Sequence, residues 1–355
     1  MAHHGAVAVV VRAARLLAVL GAVAVAVSLV PTAVAQPVGE QSATRKPPVR
    51  PLVAPYVDMG LWPTANLSAM SAATGVRTFT AAFVTTETGT VCSPAWGGYA
   101  AYAVGGPGDF SDIIAPFQAT GGRVIVSFGG AFGPEIADTC TSDTELRAAY
   151  QRVIDRYRVN RLDFDIEGAS IANVAANQRR ARVLAQVQRQ NARAGRPVAV
   201  TLTLPVMPDG LTADGLRIVR EFAAAGVAIA AVNVMAMDYG DEYVAMGAHA
   251  ISAARATAAQ LKAIPAFRRL STAQRMALVG ITPMIGQNDI ASEVFTIADA
   301  SAVAAFAKAN GIGMLAWWEM TRDKPCTVVG EGLSTCSGVA APQWAFAKAF
   351  RAGLR

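Results

Sequence analysis

Apolar and polar positions along this chain fall into two alternating regimes. Short apolar, β-rich runs recur at 52–59 (LVAPYVDM), 76–85 (VRTFTAAFVT), 123–130 (RVIVSFGG) and 161–168 (RLDFDIEG). Four more follow at 197–206 (PVAVTLTLPV), 229–240 (IAAVNVMAMDYG), 276–286 (MALVGITPMIG) and 314–320 (MLAWWEM). Helix-like stretches separate most of them, at 145–157, 173–194, 213–225, 248–262, 300–309 and 343–352. Strand–helix alternation predicts parallel strands, and eight such units over about 300 residues predict a single (β/α)8 TIM barrel. A doubly wound sheet is the other α/β solution, but no G-x-G-x-x-G follows the first run.

Within the fourth run, Leu162, Phe164 and Ile166 interleave with Asp163, Asp165 and Glu167. On a strand, alternate side chains share a face about 7 Å apart, so the acids line one face and the apolar residues the other. In a barrel one face meets the helices and the other meets the interior. The apolar set suits the helix side, which turns all three acids inward. Stacked buried carboxylates are unfavourable without shared protons or hydrogen bonds, so folding alone does not account for them. Glu167 also ends the run, just before Gly168, where barrel enzymes place their chemistry.

The chain has 355 residues, 53% hydrophobic and only 16% charged, enough for a large core and inconsistent with disorder. Part of that hydropathy is a leader: Arg12 and Arg15 precede an apolar run over 16–30, and Ala33-Val34-Ala35 precedes Gln36. This is the pattern of a secretory signal peptide over 1–35, cleaved after Ala35, and the run is short for a membrane span. Residues 36–50 read as a polar, proline-bearing linker, and setting aside the first 50 of 355 residues leaves 305 for one barrel. The net charge of +6 falls to +4 once Arg12 and Arg15 leave, with no dense basic stripe to bind nucleic acid. A secreted monomer without stable membrane association is expected. Four cysteines in an exported chain predict disulfides; Cys326 and Cys336 share one late segment, and Cys92 and Cys140 fall in consecutive long loops.

Several chemistries are disfavoured. Beyond the leader the only histidine is His249, in an alanine-rich helical stretch, which rules out a His-rich metal site. No G-x-S-x-G elbow is present. Carboxylate chemistry remains, either a Mg2+-type site or general acid catalysis on a glycosidic bond. At this point the motifs resemble a family. NRLDFDIE (160–167) is similar to the D-G-x-D-x-D-x-E signature of glycoside hydrolase family 18, the chitinases and their relatives, with Asn160-Arg161 in place of Asp-Gly. Ser127-Phe128-Gly129-Gly130 resembles the family's S-x-G-G. VNVMAMDYG (232–240) resembles a bacterial and archaeal branch with M-x-M-D-Y-G, in which Met237 takes the usual tyrosine position and Tyr239 follows Asp238. TPMIGQND (282–289) and WWEMTRD (317–323) look like the same branch, and alignment back from Arg322-Asp323 puts the barrel-floor tryptophan at Trp318 rather than Trp317.

The resemblance implies hydrolysis of β-1,4-N-acetylglucosaminide bonds in chitin or chito-oligosaccharides by substrate-assisted, retaining catalysis, with no metal and no cofactor. Glu167 is then the acid that protonates the leaving oxygen. Asp165 bonds the acetamido N–H, Asp163 shares a proton with Asp165, and Tyr239 positions the acetamido carbonyl. Trp318, Asp289, Asp238, Met235 and Ser127 are the expected substrate-binding residues. The loop over 86–122 carries Trp96, Tyr99 and Tyr102, read equally as sugar-stacking or as packing residues. Two other readings stay open: a carbohydrate-binding barrel without turnover, and an endo-β-N-acetylglucosaminidase acting on another glycan. No α+β insertion is evident between the seventh and eighth strands, which predicts an open cleft and endo action.

Overall fold

The computed structural model describes residues 50–328 and 332–355; the predicted leader and, apart from Arg50, the linker lie outside the described residues. Eight parallel strands form one sheet. We number them β1 (two pieces, Leu52–Val53 and Tyr56–Asp58), β2 (Thr78–Thr86), β3 (Arg123–Gly129) and β4 (Arg161–Asp165). They continue as β5 (Ala199–Met207), β6 (Ile229–Ala236), β7 (Val279–Pro283) and β8 (Met314–Leu315). Each pairs with its successor. Strand β1 closes the circle, with Leu52 opposite Met314 on one edge and Tyr56 opposite Thr80 on the other. Pro55 joins its two pieces; it has no N–H to donate, but its carbonyl accepts from Thr80 N at 2.9 Å. The expected closed (β/α)8 barrel is the fold.

Two apolar cores follow from the alternation along the strands. Between strands and helices, Phe128 of β3 stacks on Phe164 of β4 at 5.1 Å, and Tyr150 of the helix Asp143–Tyr157 meets both edge-on. Inside the barrel the residues are small, since an eight-stranded barrel leaves only enough room for side chains to fill. Ala54, Ala82, Ala231 and Ala316 pack there with Ile125 and Met314.

The predicted helices appear, as Asp143–Tyr157, Val174–Arg193, Ala213–Ala224, Met246–Gln260, Ile297–Asn310 and Ala345–Gly353. Side-chain caps set their starts: Ser142 accepts from Glu145 N, and Thr296 and Asp299 form a reciprocal capping box. Two helices absent from the sequence reading, Leu67–Thr74 and Ser111–Ala119, complete the units after β1 and β2. Several strands are shorter than expected, including β6 (Ile229–Ala236) and β7 (Val279–Pro283), and two of the truncations bear on the site. Strand β4 stops at Asp165, and β8 pairs only over Met314–Leu315 before an irregular segment that carries Trp318. Between β7 and β8 the described residues hold only a hairpin of Gly286–Gln287 with Val294–Phe295, then the helix Ile297–Asn310. No α+β subdomain interrupts them.

Both disulfides join the expected partners, Cys92–Cys140 across 48 residues and Cys326–Cys336 across 10. The first ties the loop after β2 to the loop after β3. Loop-closure entropy assigns about 4 kcal/mol to the longer loop and about 3 kcal/mol to the shorter. Denaturant unfolding of Cys92→Ser/Cys140→Ser should therefore show a larger stability loss than Cys326→Ser/Cys336→Ser. The reverse ranking would mean that local packing, not loop length, sets their contribution.

Candidate active site

Asp163 is completely buried in the barrel and is held by hydroxyls from three other strands. Tyr56 Oη of β1 and Ser127 Oγ of β3 donate to its Oδ2 at 2.8 and 2.6 Å, and Thr203 Oγ1 of β5 donates to Oδ1 at 2.7 Å. Asn233 of β6 extends the belt: its amide donates to Thr203 Oγ1 at 3.0 Å, and its carbonyl accepts from Thr282 Oγ1 of β7 at 2.8 Å. Three donors on one carboxyl suit an ionised, acceptor-only group. Such bonds contribute about 1.5–3 kcal/mol each, together comparable with a desolvation penalty of several kcal/mol per ion. Burial raises the Asp163 pKa, and the three donors oppose the rise.

Asp165 sits one layer closer to the mouth in a different environment. It is buried, and its Oδ1 has no hydrogen-bond partner. Burial first, then the charges of Glu167 and Asp163, raise its pKa well above the usual carboxylate range. The neighbouring strand approaches closely here: Gly130 N donates to Asp165 O at 3.1 Å, and a Cβ on Gly129 would lie 2.1 Å from that oxygen. This contact explains why the S-F-G-G run needs its glycines.

Glu167 lies just beyond the end of β4, not on it. Ile166 N still donates to Thr203 O at 3.0 Å, and the chain then turns at Gly168 (φ 54°) into the short helix Ala169–Ala172. Burial, and secondarily the charge of Asp238, push the Glu167 pKa up to about 7. Glu167 is therefore a partly exposed carboxyl raised to about 7, set beside the more deeply buried Asp165.

Asp165 and Glu167 open into a cleft of about 570 Å³. Its floor is the half-buried Trp318, stacked on Phe83 at 5.5 Å and tilted against Tyr56 at 5.9 Å. Met235, Met237 and Met284 add apolar wall, and Asp58, Asp238 and Asp289 add carboxylates. Asp238 takes a left-handed conformation (φ 52°), and its Oδ1 accepts from Asp289 N at 3.1 Å. An aromatic floor with acids at one side, at the C-terminal ends of barrel strands, suits a sugar ring beside a proton donor.

No protein-family model matches the chain. It is 35% identical over 307 residues to a probable bifunctional chitinase/lysozyme of Escherichia coli, covering 84% of this chain and 34% of that protein. It is 34% identical over 287 residues to endochitinase 11 of Metarhizium anisopliae, covering 78% and 53% respectively. The chain thus spans about a third to a half of the length of these curated relatives. The catalytic domain of a hyperthermophilic chitinase from Pyrococcus furiosus matches at 33% identity with a TM-score of 0.76, over 87% of this chain and 96% of that one. The P. furiosus active domain 2 has also been solved, as catalytic site mutants, with chito-oligosaccharides. The chain belongs to the chitinase-like glycoside hydrolases of family 18.

Against this family frame the expected residues divide. Glu167, Asp165, Trp318, Met235, Asp238 and Asp289 all line the cleft. Asp163 lies beneath it, and its recorded hydrogen bonds run to hydroxyls, not to Asp165. Ser127 does not reach the cleft; it is wholly buried and serves Asp163. Tyr239 is also placed elsewhere. Its ring packs on Tyr243 and His249 and its hydroxyl is buried, whereas Met237 faces the cleft in the position where the family has tyrosine. In the long loop after β2, Trp96 is core, its Nε1 donating to Tyr157 Oη at 2.8 Å, and Tyr102 packs on Phe110. Tyr99 instead is 61% exposed and lines the cleft. Sequence reasoning missed Tyr56, Phe83 and Thr203; Tyr56 and Thr203 follow from the strand alternation that turned the acids inward, whereas Phe83 faces the interior beside Ala82, where the β2 register shifts between Ala81 and Val84.

Adjacent tryptophans provide a test. Trp317 is fully buried and stacks on Phe350 at 4.5 Å, while Trp318 faces the cleft. Trp317→Ala should lose about 3–5 kcal/mol of stability in thermal or denaturant unfolding. Trp318→Ala should lose much less stability but weaken oligosaccharide binding in calorimetry. Equal stability losses would contradict this division.

Proposed function

We propose that this chain hydrolyses β-1,4-N-acetylglucosaminide bonds in chitin or chito-oligosaccharides with retention, the substrate's own N-acetyl group acting as nucleophile. The observation that carries the proposal is the placement of Glu167 in one cleft with Trp318 and Asp165, its carboxyl pushed up to about 7 by burial and the charge of Asp238. Glu167 donates its proton to the glycosidic oxygen as the bond to the anomeric carbon breaks. The acetamido carbonyl oxygen forms the new bond to that carbon, giving an oxazolinium ion, and Asp165 bonds the acetamido N–H. Water then attacks the anomeric carbon as its bond to the acetamido oxygen breaks, regenerating the N-acetyl group, and passes a proton to Glu167, restoring the acid. Asp163, fixed by its three hydroxyls, adds to burial and the charge of Glu167 in raising the pKa of Asp165. The two chitinase relatives and the chito-oligosaccharide complexes of the P. furiosus domain support this substrate class.

Export is part of the same proposal. It is supported by the leader pattern over 1–35 and by two disulfides, which persist in oxidising surroundings. The short β7–β8 connection supports an open cleft, and with it internal cleavage of long chains.

Residues 36–355 should release shorter products from a chito-pentaose, unaffected by a chelator. Glu167→Gln should lower the rate by roughly 10²–10⁴-fold or more. The acid must be protonated to act, so kcat/KM should be sustained below about pH 7 and fall as pH rises through about 7, the Glu167 pKa. Unchanged turnover in Glu167→Gln would remove it as the acid. Saturable binding without turnover in the parent protein would favour a lectin-like barrel.

A further inference from the structure

Arg322 is the least satisfied charge in the site. It ends the short turn Met320–Arg322 just after the floor residue Trp318, and its side chain is wholly buried although it lines the cleft. Nη2 donates to Gln287 O at 2.5 Å, in the loop after β7. Nε and Nη1 are buried and have no hydrogen-bond partner, and Arg322 forms no salt bridge among the described residues. Glu319, Asp289 and Asp238 act on it through space, while burial lowers its pKa to about 10, so the guanidinium is still charged at neutral pH. Among the described residues lining the cleft it is the only lysine or arginine.

Buried N–H donors without acceptors are unfavourable, most of all on a charged group. At the edge of a binding cleft, a ligand oxygen removes that penalty. The charge around the cleft indicates which oxygen. Asp58, Asp165, Glu167, Asp238 and Asp289 share the lining with this one cation. A carboxylate-bearing sugar would enter a field dominated by acids, and a sugar with an ammonium in place of its acetamido group offers the guanidinium no carbonyl oxygen. A neutral hydroxyl or amide carbonyl oxygen meets neither penalty.

We propose that Arg322 is a substrate-binding residue: its unpartnered N–H groups donate to a neutral oxygen of the sugar resting on Trp318, so that the site selects uncharged N-acetylhexosamine units. This rests on the proposed substrate class and adds the group that reads it. The carboxylate-bearing glycan suggested by the name of the chitinase/lysozyme relative is the competing ligand.

The test is calorimetric binding in a Glu167→Gln background, which separates recognition from turnover. Chito-pentaose should bind Glu167→Gln, and adding Arg322→Met should weaken it by about 10–100-fold, the range for hydrogen bonds from a charged donor. Arg322→Lys keeps the charge in a shorter donor set and should fall between; it also serves if the methionine variant does not fold. Fully deacetylated pentaose and a muramic-acid-containing oligomer should bind Glu167→Gln more weakly than chito-pentaose. Equal affinity for chito-pentaose with and without Arg322 would overturn the proposal. Tighter binding of the muramic oligomer, lost in Arg322→Met, would show that Arg322 reads an anion instead. Failure of Glu167→Gln to bind any chito-oligosaccharide would reject the substrate class itself, together with this role.

Discussion

The buried carboxyl of Asp163 is the constraint around which this site is organised. An acid at the centre of a barrel is tolerated only where donors surround it, and here they come from β1, β3 and β5. Tyr56 lies 107 residues before Asp163 and Thr203 lies 40 after it, so the donors converge only when the barrel is closed. Burial first, then the charges of Glu167 and Asp163, raise the pKa of the next carboxyl on the same face. Asp165 is held well above the usual carboxylate range, and Glu167, one step nearer solvent, is pushed up to about 7. Three chemically similar acids at alternate positions thus differ in proton affinity through their depth, their hydrogen-bond donors and their neighbouring charges.

Much of this was legible because strand alternation is a strong signal. The run L-D-F-D-I-E assigns its acids to one face, and the observed burial of Leu162, Phe164 and Ile166 against the helices follows from the same rule. The rule fails where the backbone leaves the strand. At the end of β6, Met237 N turns back to bond Met235 O, and Asp238 adopts positive φ. That double irregularity breaks the alternation and sends Tyr239 away from the cleft. A pattern of period two carries no warning of it. The helix Ser111–Ala119 escaped notice for a related reason: it is short, and it carries Pro116 within it.

The remaining omissions are pairings across long stretches of chain. Phe83 of β2 supports Trp318 across the intervening strand β1, and Tyr56 of β1 touches both rings as well as Asp163. None has a local signature beyond facing inward. Their partners are specified by the closure of β1 against β2 and β8, a property of the whole sheet.

The same closure explains why the floor and the acids form a unit. Tyr56 packs its ring against Trp318 and donates its hydroxyl to Asp163, so one side chain ties the sugar platform to the hydrogen-bonded belt. Displacing Tyr56 would loosen the floor and leave a buried acceptor short of a donor at the same time. Aromatic packing and carboxylate satisfaction are therefore not independent contributions here. A residue that belongs to the fold by its burial belongs to the chemistry by its hydroxyl, and the barrel keeps both in register by closing through the strand that carries it.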